Sequence, residues 1–126
     1  MTVATICRHG FDDVGLNELE ELNDDELDTL PFGVIGMSED GIVEIYNQTE
    51  SRLAGLSRER VVGVHFFSTT AQCMNNFLVA QRFIDEPDLN VAINFVLTLR
   101  MRPTPVRLRL LKSSFVRRRY ILLERS

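Results

Sequence analysis

Beyond Asp88 the hydrophobic pattern of this chain switches to a period of two, and that switch limits the folds open to it. In residues 91–102, Ile93, Phe95, Leu97, Leu99 and Met101 alternate with Asn94, Thr98, Arg100 and Arg102. Val96 is the exception, so the pattern predicts one long strand with a single buried face. Val106, Leu108 and Leu110 alternate with Arg107 and Arg109, and residues 120–123 form a third apolar run. Consecutive strands with short connections favour antiparallel pairing. Residues 32–37 and 42–47 also read as strands, joined by Ser38-Glu39-Asp40-Gly41, whose composition is that of a turn. A hairpin that must share a sheet with a later meander implies an α+β domain of about five antiparallel strands.

Helical signals fill the remaining chain. In residues 12–30, Leu16, Leu19 and Leu22 recur at helical spacing, followed by Leu27 and Leu30. Two short acidic helices are expected, broken at Asn23-Asp24 with Asp24 as the cap of the second and Pro31 ending the segment. Asn47 is placed to cap a helix over 48–54, with Glu50 completing a capping box and Gly55 as the stop. A smaller helix is expected between Ser57 and Gly63, Phe66 and Phe67 read as core anchors, and 68–72 as irregular. Phe77, Leu78, Val79, Phe83 and Ile84 predict a helix over 75–84, with Pro87 beyond its end. The middle helices would cover one sheet face and the acidic N-terminal helices the other.

Composition narrows the function classes. The 126 residues are 44% hydrophobic and 25% charged, enough to bury one core and too few for two ordinary domains. No apolar run approaches the roughly 20 residues that cross a bilayer, so no membrane association is expected. The first residues lack a basic start, apolar segment and cleavage site in that order, which predicts a cytoplasmic protein. Residues 1–50 hold 13 of the 18 acids and one base, Arg8; residues 51–126 hold 13 bases and 5 acids. This asymmetry is better explained by an acidic layer lying on a basic sheet than by nucleic acid, so no nucleic-acid partner is expected. Cys7 and Cys73 match no metal or redox spacing.

No phosphate loop, nucleophile elbow or HExxH spacing is present. His65, between Val64 and Phe66, reads as a packing residue. A Cys73–His65 nucleophilic pair has no further support, and the chain is not expected to be an enzyme. Tyr46, Glu50 and Cys73 are more informative. Tyr46 ends a strand and Glu50 follows four residues later, so a turn into helix between them points phenol and carboxyl into one cavity. A desolvated Glu50 favours its neutral form and then donates a hydrogen bond. With Tyr46 it offers two donors to one buried oxyanion, such as a phenolate on a ligand anchored through Cys73. On spacing alone the plainer roles are favoured: Glu50 as a surface cap partner, Tyr46 as an edge-strand amphipath and Cys73 as a small buried hydrophobe.

The segments LDTLPFGVIGMSEDGIVEIYNQTE and VVGVHFF, followed by Cys73 and then by MRPTPVRLRLLK, resemble the photoactive yellow protein family, blue-light receptors of PAS fold. The likeness spans nearly the full chain and implies an N-terminal helical cap over 1–30 and a PAS domain over 31–126. It implies p-coumaric acid (4-hydroxycinnamic acid) as a thioester on Cys73, its phenolate held by Tyr46 and protonated Glu50. It further implies trans-cis isomerisation, proton transfer from Glu50 and release of the cap toward an unidentified signalling partner. Met101 matches a methionine that assists dark recovery, and Phe66 and Phe95 match pocket or core aromatics. A monomer or weak homodimer is expected. The family pattern is broken at Ala54, where it has a threonine that orients the tyrosine, at Leu56, where it has an arginine over the phenol end, and at Gln72, where it has proline. Arg52 is a candidate substitute for that arginine. These departures keep a second reading open, a PAS ligand-sensing or protein-interaction module without light chemistry.

Overall fold

A computed structural model describes residues 10–98 and 102–125 of the chain. Two short helices, α1 (Leu16–Glu21) and α2 (Asp24–Asp28), precede the hairpin β1 (Gly33–Met37) and β2 (Val43–Tyr46). Next come α3 (Gln48–Ala54), α4 (Arg58–Val61), a π-helical turn Phe66–Thr70, a 3-10 turn Gln72–Met74 and α5 (Ala80–Asp85). The chain then forms β3 (Leu89–Leu97), β4 (Thr104–Ser113) and β5 (Val116–Arg125). The strands form one sheet in the order β2-β1-β5-β4-β3, antiparallel throughout. The expected hairpin, meander and five-stranded α+β architecture are therefore found.

Strand alternation divides the apolar side chains between two cores. Leu108, Leu110, Ile121 and Leu123 face the middle helices, where they pack with Ile35, Met37, Val61, Phe66, Phe67, Met74 and Phe83. Leu111, Tyr120 and Leu122 face the other way and pack with Phe11, Val14, Leu19, Leu27 and Leu30 of the N-terminal segment. The charge asymmetry of the sequence is resolved in the same layer. Asp12 pairs with Arg107 at 2.8 Å, Glu20 lies 3.8 Å from Arg118, and the Tyr120 hydroxyl donates to Glu20. Arg109, 6% exposed, donates to the backbone carbonyls of Phe11 and Val14 at 2.9 and 2.6 Å, and to Asn90 Oδ1 at 2.7 Å.

Two local expectations are corrected, and a third falls partly outside the described residues. The cap of α2 is Asn23, not Asp24: Asn23 Oδ1 accepts from the Glu26 N–H and Glu26 Oε1 accepts from the Asn23 N–H. Only Asn23 has a carboxylate three residues on, so only it closes the reciprocal box. The helix expected over 75–84 begins at Ala80. Asn76 Oδ1 accepts from the Leu78 and Val79 N–H groups and its amide donates to the Cys73 carbonyl. That local turn competes with helix and leaves Phe77 78% exposed. β3 ends at Leu97, and the Leu99 and Met101 part of the expected strand lies outside the described residues.

Candidate functional site

The site begins with Asn47, which is 2% exposed. Its Oδ1 accepts from the Glu50 N–H at 3.1 Å and the Val34 N–H at 3.0 Å, and its Nδ2 donates to the carbonyls of Leu27 and Phe32 at 2.8 and 3.1 Å. The expected cap is thus present, and it also ties α2, β1 and α3 together. Thr49 adds a bond from its Oγ1 to the Leu30 carbonyl at 2.6 Å. α3 stops at Gly55, whose φ of 73° is the left-handed conformation that favours glycine.

Glu50 does not complete a capping box. The Asn47 N–H it would accept is already bonded to the Val34 carbonyl at 3.1 Å, so the carboxylate is free to turn inward. There it receives two hydrogen bonds from Arg125 at the end of β5, at 2.8 and 3.1 Å. Gly33 makes room for it, because a Cβ at that position would lie 2.1 Å from Glu50 Oε1. Burial pushes the Glu50 carboxyl above the ordinary 4.5, and Arg125 opposes that rise without reversing it.

Tyr46 is 3% exposed, and burial followed by the nearby Glu50 raises its phenol well above 10.0. Its backbone carbonyl accepts from Arg58 Nε, but its hydroxyl bonds to none of the described residues. Among the described residues Arg119 Nε is the buried side-chain polar atom left unpaired, so the Tyr46 hydroxyl, though part of a buried residue, keeps some contact with solvent and is free to donate. Tyr46 and Phe66 belong to the helix-side core, and Cys73, Phe95 and Leu56 pack against that core half-buried. The structure therefore brings Tyr46, Glu50, Phe66, Phe95 and Cys73 to one side of the sheet. Met101 lies outside the described residues, as does Cys7.

Two irregular turns carry Cys73. The π-helical turn closes with the Ala71 N–H donating to the Phe66 carbonyl at 2.8 Å, and the Gln72 side chain donates to the Ser68 carbonyl at 2.8 Å. His65 caps that turn, its Nδ1 accepting from the Ser68 N–H at 3.1 Å and lying 2.8 Å from Ser68 Oγ. It makes an edge contact with Phe67 at 6.4 Å, which fits the packing role read from the sequence rather than a pairing with Cys73. Arg52 is exposed and has no partner among the described residues, so it does not take the place of the arginine missing at Leu56. Arg125 was not singled out by the sequence, since nothing in a C-terminal Glu-Arg-Ser marks an inward-facing base.

No family model matches the sequence. The chain is 32% identical over 105 residues to the photoactive yellow protein of Rhodothalassium salexigens, covering 81% of this chain and 83% of that protein. It is 30% identical over 111 residues to the photoactive yellow protein of Halochromatium salexigens, covering 86% and 88%. The chain belongs to the photoactive yellow protein family. Among solved structures, the photoactive yellow protein domain of the sensor histidine kinase Ppr from Rhodospirillum centenum superposes with a TM-score of 0.79 at 32% identity, covering 86% of this chain and 98% of that domain. The PAS domain of an HTR-like protein from Haloarcula marismortui matches with a TM-score of 0.66 at 15% identity, covering 88% of this chain and 100% of that domain, which shows the fold alone. The fold is thus PAS, and membership of the photoactive yellow protein family makes this a photoreceptor or sensor domain. No helix among the described residues is long and apolar enough to cross a membrane.

The donor set suits the ligand that membership of the photoactive yellow protein family suggests. The Tyr46 hydroxyl has no partner among the described residues and is free to donate, Glu50 is buried beside it, and Cys73 is a half-buried free thiol against the same core. Glu50 also gives a pH signature in the protein alone. Because its folded-state midpoint is raised, the folded chain holds that proton more tightly than the unfolded chain. Its contribution to stability is full below the ordinary midpoint of 4.5 and is lost as pH rises through the higher folded one. The stability of the wild type minus that of Glu50→Gln is therefore expected to fall with rising pH across that window. Urea titrations at several pH values check it, and a difference that grows with pH contradicts the raised midpoint.

Proposed function

We propose that the chain is a blue-light photoreceptor in which Cys73 carries p-coumaric acid as a thioester and Tyr46 and Glu50 hold its phenolate. The observation that carries this reading is that Tyr46, a residue 3% exposed, leaves its hydroxyl without a partner among the described residues, beside a buried carboxyl. When bound, the ligand supplies visible absorption, a double bond that isomerises in light and an oxygen whose charge and proton affinity change with that isomerisation.

The chain supplies the rest. Tyr46 donates a hydrogen bond at the pocket's buried end. Glu50, neutral once the ligand carries the charge, donates a second and is the proton source. The core residues Phe66 and Phe67, with half-buried Phe95 against them, limit water around those bonds, which strengthens them. Loss of the Glu50 proton moves the buried negative charge from the ligand to the carboxylate that Arg125 faces, and the hydrogen bonds around the ligand rearrange with it. The output is release of the 1–30 cap from the 31–126 PAS domain toward a signalling protein, in a cytoplasmic monomer or weak homodimer, with Met101 assisting recovery.

A second reading, a PAS ligand-sensing or interaction module without covalent chromophore, draws on the Arg125 pair, which satisfies Glu50 with no ligand at all. Absorption and intact mass after treatment with an activated p-coumaric ester separate the two. The expected result is a visible band and one adduct on Cys73. With no Trp and only two Tyr, the bare chain contributes no visible absorption. Cys73→Ala is expected to take up no label; colour surviving denaturation of that variant defeats the thioester, and no band with the wild type favours the second reading.

A further inference from the structure

The Arg125 guanidinium meets Glu50 as a planar fork, one nitrogen to each carboxylate oxygen, with side-chain exposures of 15% and 3%. The partners lie far apart in the chain: Glu50 in the first turn of α3, Arg125 at the last residue of β5, 75 positions later. Val106 of β4 pairs with Arg125 across the sheet and holds its backbone in register. Among the described residues, Tyr46 is the other titratable group acting on Arg125, and Arg125 is the charged group acting on Glu50. The fork therefore has one buried carboxylate and one buried phenol before it. A fixed guanidinium, charged at all working pH values, sits where the sequence suggested none.

We propose that Arg125 is the fixed counter-ion of this pocket, balancing whichever group holds its single buried negative charge: Glu50 when no ligand is present, and the ligand's oxygen when an acidic phenol occupies the site. The identity of that ligand rests on the reading above; the pairing itself does not. The charges and protons balance. Without ligand, the Glu50 carboxylate and Arg125 sum to zero. A neutral phenol that enters breaks its O–H bond and gives the proton to Glu50. The new O–H on Glu50 then donates back to the phenolate oxygen, Arg125 keeps its charge, and the sum is again zero. A phenol arriving already ionised requires Glu50 to take one proton from solvent. A ligand whose oxygen is methylated has no proton to give, so Glu50 stays charged on Arg125 and offers no donor. Arg125 thereby makes the pocket selective for weakly acidic phenols over their ethers. It supplies a cation to the site where Leu56 offers none, from β5 and 69 positions further along the sequence.

The first test uses the ligand-free full chain with carbon-13 in the Glu side chains, following the Glu50 carboxyl resonance against pH in wild type, Arg125→Gln and the exposed control Arg52→Gln. An adjacent cation lowers a carboxyl midpoint by about 1 to 3 pH units, so Arg125→Gln is expected to raise the Glu50 midpoint by that amount and Arg52→Gln to leave it in place. Equal midpoints in wild type and Arg125→Gln overturn the proposal. Should Arg125→Gln fail to fold, Arg125→Lys keeps the charge but loses the fork and is expected to raise the midpoint less; no rise there is then the overturning result. The second test loads the protein with activated p-coumaric ester and titrates the phenol by absorbance. Arg125→Gln is expected to raise the phenol midpoint by a similar amount, and an unchanged midpoint overturns the shared counter-ion. With activated 4-methoxycinnamic ester instead, Glu50 is expected to keep its ligand-free chemical shift, and its protonation by that ligand overturns the charge-balance rule. If the wild type takes up no ester, the photoreceptor reading fails while the ligand-free titration still decides the pairing.

Discussion

Gly33→Ala is expected to dislodge Glu50 and lower stability by about 3 kcal/mol or more, an unusually large effect for adding one methyl group. The new Cβ would stand 2.1 Å from Glu50 Oε1 and 3.0 Å from its carboxyl carbon. Neither side can yield cheaply. Gly33 is held in β1 by its pairing with Leu123 of β5, and Glu50 is held at its backbone by Asn47 and at its tip by Arg125. The carboxylate must swing out and break two charge-assisted bonds, leaving Arg125 without its partner. Breaking a buried pair from one side costs about 3–5 kcal/mol, because the remaining charge stays desolvated. Urea denaturation of Gly33→Ala, Glu50→Ala and the double variant measures this directly. The two substitutions are expected to be strongly non-additive, since once Glu50 is truncated the alanine at 33 meets only the remaining Cβ of residue 50, at 3.1 Å. A single Gly33→Ala variant within 1 kcal/mol of wild type contradicts the close approach.

Arg109→Leu is expected to undock the N-terminal segment at a cost of about 3 kcal/mol, whereas Arg107→Leu, close by on the same strand, is expected to change little. Both arginines reach the same segment, but in different solvent. Arg107 meets Asp12 and Glu124 at the surface, where water and salt screen the attraction. Arg109 is buried under the segment and supplies the hydrogen-bond donors to the Phe11 and Val14 carbonyls. Removing it leaves two buried carbonyls unsatisfied, and each such group costs about 1–3 kcal/mol. Leucine fills much of the vacated space, so the effect is not simply a cavity. Limited proteolysis is the suitable measurement: Arg109→Leu is expected to be cut within residues 10–30 well before wild type, and Arg107→Leu at the wild-type rate. Equal protection in all three proteins would mean that apolar contacts of Phe11, Val14 and Leu19 hold the segment alone. In the photoreceptor reading, Arg109 sets how much energy the pocket must spend to release its cap.

The charge pattern that suggested an acidic layer on a basic sheet is realised in these contacts, through Asp12 with Arg107 and Glu20 with Arg118. Legibility followed the range of the interaction. Alternation in β3 as far as Leu97 and in β4, the Asn47 cap and the Gly55 stop are written in residues a few positions apart, and each is found. The late start of α5 was also local, but Asn76 offered the backbone a competing turn that a count of apolar residues overlooks. The Asn23 cap was misplaced by one residue because both candidates accept well, and only the reciprocal bond from Glu26 distinguishes them.

Sequence alone thus determined the sheet, its two-sided burial, the helix limits near the site and the candidate trio of Tyr46, Glu50 and Cys73, because period, caps and turn chemistry are short-range properties of neighbouring residues. It also carried the family likeness, which depends on the order of residues and not on their contacts. Tertiary structure decided what Glu50 touches. A capping box and an inward carboxylate are equally good local solutions, and the choice between them fell to groups distant in sequence: the Val34 carbonyl that occupies the Asn47 N–H, the absent side chain at Gly33, and Arg125 waiting 75 residues away. Electrostatic partners act through space, and only the folded sheet brings β5 against α3.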